Sequence, residues 1–469
     1  VITSPSWRGE RYAVLGLARS GQATVRALLA SGAEVVAWDT NEEKRNSLLP
    51  ELARGGGPSC SDGGGAGELL PQPLHHPAAP GGPPPRDALG AELSFADPVE
   101  IDLTGFAGVV VSPGVPLNRH PIAAKARAAG VPVIGDIELF AQARDYLPSH
   151  RVVGITGTNG KSTTTALIHH ILETAGIPAR LGGNIGLPIL GEEPLPEGGV
   201  YVLELSSYQI DLTSSLDCDV AVLLNITPDH LDRYDGFEAY AASKARLFAM
   251  QSRDHDAVIG IGDAASAKIA RSLSARGEHV FKIAPGVCMD QSRWPSLQGP
   301  HNAQNALAAI TACQALGVAE AAIDAGLESF KGLPHRMERV GTVDGVAYIN
   351  DSKATNPDST APALAAFDGI HWILGGQAKT KDLDACRPSF GHVRAAYTIG
   401  EAGPMFVDLL KNDMPTVYAE TLAHAVELCR AAAKPGETVL LSPACASFDQ
   451  FRDYEDRGDT FRGLVESLA

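Results

Sequence analysis

A lysine placed after a glycine at the mouth of a helix is chemistry for holding anions. This chain offers it in Gly154-Ile155-Thr156-Gly157-Thr158-Asn159-Gly160-Lys161-Ser162-Thr163. The segment follows an apolar run, Val152-Val153-Gly154-Ile155, and opens a stretch from Lys161 to Ala175 in which Leu167, Ile168, Ile171 and Leu172 recur at i, i+1, i+4 and i+5. That pattern predicts a strand, a glycine-rich loop and a helix N-terminus. The first N–H groups of a helix have no intrahelical partner, and the helix dipole favours negative charge beside them. Gly157 and Gly160 let the backbone wrap an anion, Lys161 reaches its terminal phosphates, and the Ser162 hydroxyl suits a magnesium ion. The spacing departs from the general pattern G-x-x-x-x-G-K-S/T, because position 155 is Ile and the nearer glycine comes one residue early. A glycine-rich turn with a surface lysine is the plain alternative. The G-K-S run, following a buried-type strand and opening a helix, favours phosphate binding.

Other polar groups gather at predicted strand ends, where open parallel sheets collect their ligands. The apolar run Tyr201-Val202-Leu203 ends in Glu204, either a magnesium ligand or a carboxylate at a strand edge. Val220–Asn225 leads into Thr227-Pro228-Asp229-His230-Leu231-Asp232, where a lone histidine is more often structural. His301-Asn302-Ala303-Gln304-Asn305 opens a helix with amides one turn apart, which suit a purine or ribose, although capping by Asn302 explains them equally. Arg336 stands beside a predicted domain hinge at Gly332-Leu333-Pro334. Two further loops, Asn350-Asp351-Ser352-Lys353-Ala354-Thr355 and Ser442 to Phe451, load strand ends near the C-terminus with polar side chains.

The elements that must position these groups alternate short apolar strands with amphipathic helices, which predicts parallel α/β sheets in three blocks. The first block carries Tyr12–Gly16, a helix through Leu29 and the strand Glu34–Trp38. Its Gly16-x-Ala18-x-x-Gly21 turn is similar to a dinucleotide fingerprint lacking the middle glycine, and Asp39 falls where a ribose-binding acid would stand. Strands are also predicted at 108–111, 131–134, 346–349, 370–374, 395–399 and 438–442, with a helix near 121–129. Between about 54 and 89 the composition shifts to Gly, Pro and Ala, which reads as a flexible insertion, and His75-His76 inside it as solvated loop residues. The whole chain has 469 residues, 44% hydrophobic and 20% charged, which predicts several soluble domains. A net charge of −17 argues against nucleic-acid binding. Seven cysteines without a C-x-x-C pair read as reduced thiols, and no segment resembles a membrane span or signal peptide, so the cytoplasm is expected.

Taken together, the Gly157–Ser162 loop, Asn350–Thr355, Ser442–Phe451 and Tyr454-Glu455-Asp456-Arg457-Gly458 resemble the Mur ligases, ATP-dependent amide ligases of peptidoglycan precursor synthesis. The resemblance implies an α/β fold of three domains: an N-terminal Rossmann-like domain, a central P-loop ATPase domain with a mostly parallel sheet, and a C-terminal Rossmann-like domain. They would span 1–148 for a UDP-sugar, 149–332 for ATP and 333–469 for an amino acid. The substrates implied are UDP-N-acetylmuramoyl-L-alanine and D-glutamate, joined through an acyl phosphate by a monomer that uses ATP and Mg2+. Lys161 would sit on the β- and γ-phosphates, with Gly157, Thr158, Asn159, Gly160 and Thr163 lining the loop. Ser162 and Glu204 would hold one magnesium and His230 a second. Lys244, otherwise a solvated helix lysine, matches a lysine that the family carbamylates, which turns a cation into a support for metal.

By the same resemblance Asn305, Arg336 and Asp351 contact the nucleotide. Lys353, Thr355, Lys379, Ser447 and Tyr454 face D-glutamate, Tyr454 standing where phenylalanine is commoner. Leu17, Ala18, Arg19, Asp39, Thr40 and Gly114 would hold the uridine diphosphate, Ala18 replacing a usually polar residue. Asn184, Ser206 and Gln209 would hold the muramoyl-alanine. Three rivals remain: a Mur-type or folylpolyglutamate-synthase-like ligase with another amine, a nucleotide-binding regulator without catalysis, and an NAD-dependent oxidoreductase. The Ser442–Phe451 motif argues against the first, the polar C-terminal loops against the second, and the lack of a hydride-transfer partner against the third.

Overall fold

Strands of this chain are runs of Val, Ile, Leu and Ala buried on both faces, as in Gly108–Val111, Val220–Leu223 and Thr438–Leu441, and such runs favour parallel sheets covered by helices. The computed structural model describes residues 1–53, 92–230, 232–284, 286 and 289–468. The Gly/Pro-rich insertion and its two histidines lie outside the described residues. The chain forms two compact units: one comprises 1–152, 180–218 and 229–252, the other 153–179, 219–228 and 253–469.

In the first unit, β1 (Arg11–Leu15), β2 (Glu34–Trp38), β3 (Glu92–Phe95), β4 (Gly108–Val111) and β5 (Val133–Ile134) form a parallel sheet of order β3-β2-β1-β4-β5. Ala13, Leu15, Val109 and Val111 pack on one face against Leu103, Phe106 and the helix Ile122–Ala128. The helix Arg19–Ala30 follows β1 as the fingerprint predicted. The absence of a Cβ at Gly21 permits that turn, since one would lie 1.9 Å from the Gly16 carbonyl oxygen. The rest of this unit includes most of β7 (Ala179–Gly183), with β8 (Gly199–Glu204) and the helix Gly236–Ala249.

In the second unit, most of β6 (His150–Thr156) runs parallel to β9 (Val220–Leu223), followed outward by β10 (Asp256–Gly260) and β11 (His279–Ile283). The phosphate-loop helix spans Lys161–Thr174 and packs against the helices Pro300–Ala315 and Glu320–Ser329. The C-terminal strands are β12 (Glu338–Val343), β13 (Val346–Asn350), β14 (Ile370–Gly375), β15 (Val393–Ile399), β16 (Thr416–Glu420) and β17 (Thr438–Leu441), in the order β12-β13-β17-β14-β15-β16. Only β12 is antiparallel to its neighbour. One face of this sheet packs Trp372, Leu374 and Leu440 against Phe406 and Leu410, and the other packs Tyr348, Val439 and Leu441 against Val426 and Phe461. The sequence did not signal β12 and β16, edge strands of mixed residue types that are mostly exposed or half-exposed.

A methyl group at position 21 must push the β1–helix turn apart. Gly21→Ala should therefore lower unfolding free energy by about 1–3 kcal/mol, read as a fall in urea midpoint at unchanged slope. An unaltered midpoint would contradict the close approach.

Candidate active site

The phosphate loop is built around the end of β9. Thr158 N–H donates to the Asn225 carbonyl at 2.9 Å, Asn159 N–H donates to Asn225 Oδ1 at 2.9 Å, and Asn225 Nδ2 donates back to the Asn159 carbonyl at 3.1 Å. Thr158 Oγ1 exchanges hydrogen bonds with the Thr227 main chain at 3.0 and 3.1 Å. The turn after β9 is held in its own right: Ile226 N–H donates to Asp263 Oδ2 and Gln304 Nε2 donates to the Leu224 carbonyl. Gly160 has φ +85° and forms the N-cap of Lys161–Thr174, where a glycine supplies no side-chain cap. A Cβ at Gly160 would lie 2.3 Å from Asn305 Oδ1. Lys161 Nζ folds over the loop and donates to the Gly157 and Thr158 carbonyls, both at 2.9 Å. Loops of this kind place the start of a helix and a cation where an anion can meet both.

Asn305 is held by Asn302, whose Oδ1 accepts from Asn305 Nδ2 at 3.1 Å. Asn302 is not the helix cap that its position allowed. The helix opens at Pro300 with Gly299 as N-cap, and Asn302 Nδ2 donates to the Gln298 carbonyl at 3.1 Å. His301 is partly exposed, yet desolvation pulls its pKa down to about 4, so a neutral imidazole faces the cavity. That cavity, about 160 Å³, is lined by Asn159, Gly160, Asn225, His301, Asn305 and Arg336 among others. Arg336 sits between two residues with left-handed backbone, His335 at φ 61° and Met337 at φ 47°, a conformation that costs energy for side chains of this bulk. The strained turn presents Arg336 Nη2 to Ser162 Oγ at 2.9 Å. Beside it Asp351 is buried and accepts from Ser442 Oγ at 2.7 Å and Met337 N–H at 3.1 Å. Burial pushes its carboxyl up to about 7, against the opposing pull of these hydrogen bonds and of Arg336 and Arg457.

Further along the same unit, Lys379 Nζ donates to Thr355 Oγ1 at 3.2 Å, and Lys353 Nζ lies 3.8 Å from the centre of the Tyr454 ring. Ser447 is buried, and the Tyr454 hydroxyl donates to Glu455 Oε1 at 2.8 Å. These five residues come from loops after β13, β14 and β17 and from the start of the helix Tyr454–Glu466. Arg457 on that helix belongs to the Tyr454–Gly458 motif, and no local sequence pattern marks it for a role of its own. It is 1% exposed and donates to Ser352 and to the carbonyls of Gly375, Cys445 and Ala446.

In the first unit the candidate metal residues are placed individually. Glu204 is not a surface carboxylate: it is 2% exposed, Oε1 accepts from Asn184 Nδ2 at 2.8 Å, and Oε2 is buried without a hydrogen-bond partner among the described residues. A buried oxygen without a donor suits a cation, which is the fit expected of a magnesium ligand. Lys244 is not solvated either. It is 1% exposed, with Nζ 4.7 Å from the centre of the Tyr240 ring. His230 is half-exposed, has φ 53°, and lies 5.1 Å ring to ring from Tyr208. Ser206 and Gln209 form a reciprocal capping box, onto which Ser243 docks through the Ser207 carbonyl at 3.1 Å.

The β1 turn carries the remaining residues. Leu17 N–H and Asn41 N–H donate to the Asp39 carboxylate at 2.8 and 2.9 Å, and Lys44 lies 3.6 Å away. Desolvation alone would raise the Asp39 pKa, but the two amides and Lys44 outweigh it and hold the carboxyl below its ordinary value. Asp39 thus braces the loop, whereas Ala18, Arg19, Thr40 and Gly114 are exposed around it. A surface groove of about 740 Å³ near Tyr12, Arg144 and Tyr146 lies toward the opposite end of the β1 strand from this turn.

Comparison with known proteins adds three findings. The Mur ligase middle domain family matches residues 155–286, and the Mur ligase glutamate ligase domain family matches residues 335–445. The UDP-N-acetylmuramoylalanine–D-glutamate ligase of Novosphingobium aromaticivorans is 60% identical over all of this chain and 97% of its own length, and that of Zymomonas mobilis is 53% identical over the full length of both. Among solved structures, the UDP-N-acetylmuramate–alanine ligase of Thermotoga maritima shares the fold with a TM-score of 0.54 at 17% identity, over 98% of this chain and all of its own.

Two outcomes follow from the geometry. Gly160→Ala should weaken binding of an ATP analogue about tenfold or more by calorimetry, and adding Asn305→Ala should restore only part, because the positive φ remains. Asp351 keeps its proton in the fold up to about pH 7, whereas an unfolded aspartate loses it above about pH 4. Its contribution to stability is therefore largest below pH ~4 and declines as pH rises toward ~7. Asp351→Asn should gain stability relative to the parent across that window, measured by urea unfolding at several pH values. A constant difference would refute the shift.

Proposed function

This chain belongs to the Mur ligase family, and we propose that its residues divide ATP-dependent amide formation between a nucleotide cradle and an amino-acid loop cluster. The reaction joins D-glutamate to UDP-N-acetylmuramoyl-L-alanine with ATP, a step of peptidoglycan precursor synthesis. The single observation carrying the residue assignment is the loop Gly157–Ser162, whose glycine-capped helix N-terminus, Lys161 and Asn305 suit a triphosphate.

A free carboxylate is a poor electrophile, so the substrate's alanyl carboxylate oxygen attacks the γ-phosphorus, ADP leaves, and an acyl phosphate forms. The D-glutamate amine then attacks the acyl carbon, a tetrahedral intermediate forms and loses its amine proton, and phosphate departs. Phosphoryl transfer asks chiefly for positioning and charge neutralisation. Lys161 would leave the Gly157 and Thr158 carbonyls for the phosphates, Arg336 would supply a second cation, and Asn305 and Asp351 would orient the nucleoside. Magnesium, when bound, neutralises phosphate charge. Ser162, Glu204 and His230 are the proposed ligands, Glu204 through its donorless Oε2. Lys244 is proposed to carry a carbamate, which would replace a buried cation by an anion near metal-binding groups.

The amine is placed by Lys353, Thr355, Lys379, Ser447 and Tyr454 in this reading, and the UDP-sugar by Leu17, Ala18, Arg19, Asp39, Thr40, Gly114, Asn184, Ser206 and Gln209. We also infer domains at 1–148, 149–332 and 333–469, a monomer, and a cytoplasmic location. Among the described residues no helix is long and apolar enough to cross a membrane.

Phosphate release with UDP-N-acetylmuramoyl-L-alanine should depend on D-glutamate and not on L-lysine or meso-diaminopimelate, and the opposite preference would overturn the amine assignment. Lys161→Ala should cut turnover about a thousandfold or more while leaving UDP-substrate affinity within about twofold.

A further inference from the structure

Arg457 is the largest fully buried charged side chain among the described residues, and the proposed reaction gives it no part. Nε donates to Ser352 Oγ at 2.9 Å, Nη2 to the Ser352 and Cys445 carbonyls at 2.8 and 3.1 Å, and Nη1 to the Gly375 and Ala446 carbonyls at 3.5 Å each. The guanidinium fork thus ties together the chain segments that leave β13, β14 and β17. Each segment runs directly into the amino-acid cluster: Ser352 precedes Lys353 and Thr355, Ala446 precedes Ser447, and Gly375 leads to Lys379. Tyr454 lies one turn before Arg457 on the same helix, and its carbonyl accepts from Ser352 Oγ at 2.8 Å. Gly376 leaves room for the fork, since a Cβ there would lie 3.2 Å from Nη1 and 2.3 Å from the Ala446 oxygen.

Every acceptor of Arg457 is a carbonyl or a hydroxyl, and among the described residues no carboxylate pairs with it. Its hydrogen bonds go to dipoles, and the carboxyl groups of Asp351 and Asp449 act on it through space without a direct contact. Burial pulls the guanidinium down to about 10, which leaves it charged at neutral pH. A buried cation of this kind is costly relative to an apolar residue of similar bulk. Next to loops meant for an amino-acid dicarboxylate, a buried guanidinium that stays charged favours anions.

We propose that Arg457 is the positioning residue for D-glutamate: it sets the register of the Lys353, Lys379 and Ser447 loops and biases their pocket toward a dicarboxylate. The proposal rests on the reading of those loops as the amino-acid side.

Steady-state kinetics of the full chain, with each substrate varied in turn, test it on Arg457→Gln and Arg457→Lys, with Thr355→Ala as control. The Gln variant should raise KM for D-glutamate about tenfold or more, with kcat within about threefold and KM for ATP and the UDP-substrate within about twofold. The Lys variant keeps the charge without the fork and should fall between it and the parent. A parallel rise in all three KM values, or an unchanged KM for D-glutamate in either folded variant, overturns the proposal. Should the Gln variant not fold, the Lys variant alone decides by the same criterion. An unchanged D-glutamate KM in Thr355→Ala overturns the reading of the pocket itself, whereas a raised value there beside silent Arg457 variants overturns only the role of Arg457.

Discussion

Close approach to the backbone of glycines that follow the carboxyl ends of parallel strands is the constraint on which the rest of this structure depends. A Cβ would stand 1.9 Å from a carbonyl oxygen at Gly21, 2.3 Å from a side-chain amide at Gly160 and 2.3 Å from a carbonyl oxygen at Gly376. Each glycine lies where a strand turns into a loop or helix that carries polar groups. Helix starts and inward-facing carbonyls are useful only when the chain comes this close, and the missing side chain is what allows it. The strained pair His335 and Met337 does the same for Arg336 without glycine, at a cost that the surrounding Asp351, Glu338 and Asn350 hydrogen bonds offset.

Buried charge supplies the second layer of organisation. Glu204 keeps one oxygen without a donor, Lys244 is enclosed against Tyr240, Asp351 holds its proton toward neutrality, and Arg457 is surrounded by carbonyls. A fold selected only for stability would replace such groups with well-packed apolar ones. Such groups suit a protein whose substrates are all anionic and whose reaction transfers a phosphoryl group to a carboxylate. Preorganised dipoles and cations lower the barrier to that movement because they need not reorient as it occurs.

Local features were legible in the residues. The loop from Gly157 to Ser162, the apolar strands and the helix from Lys161 follow from spacing within about fifteen positions, the range over which periodicity and capping act. So does the turn at Gly16-x-Ala18-x-x-Gly21. The edge strands β12 and β16 were not legible, because an edge strand is only partly buried and its residue types are correspondingly mixed. Nor was the true start of the helix at Pro300, where Asn302 offered a competing cap.

Sequence by itself determined the chemistry on offer: a phosphate loop, polar strand ends, and motifs that pointed to a family of ligases. Only the tertiary structure decided which of those groups are buried and what they face. Glu204 and Lys244 look like ordinary surface residues in one dimension, and Arg457 looks like one charge in a polar helix. Their burial arises from contacts across many tens of residues, as when Arg457 meets Ser352. Desolvation and buried charge are properties of those long-range contacts, and no local pattern of residue types encodes them.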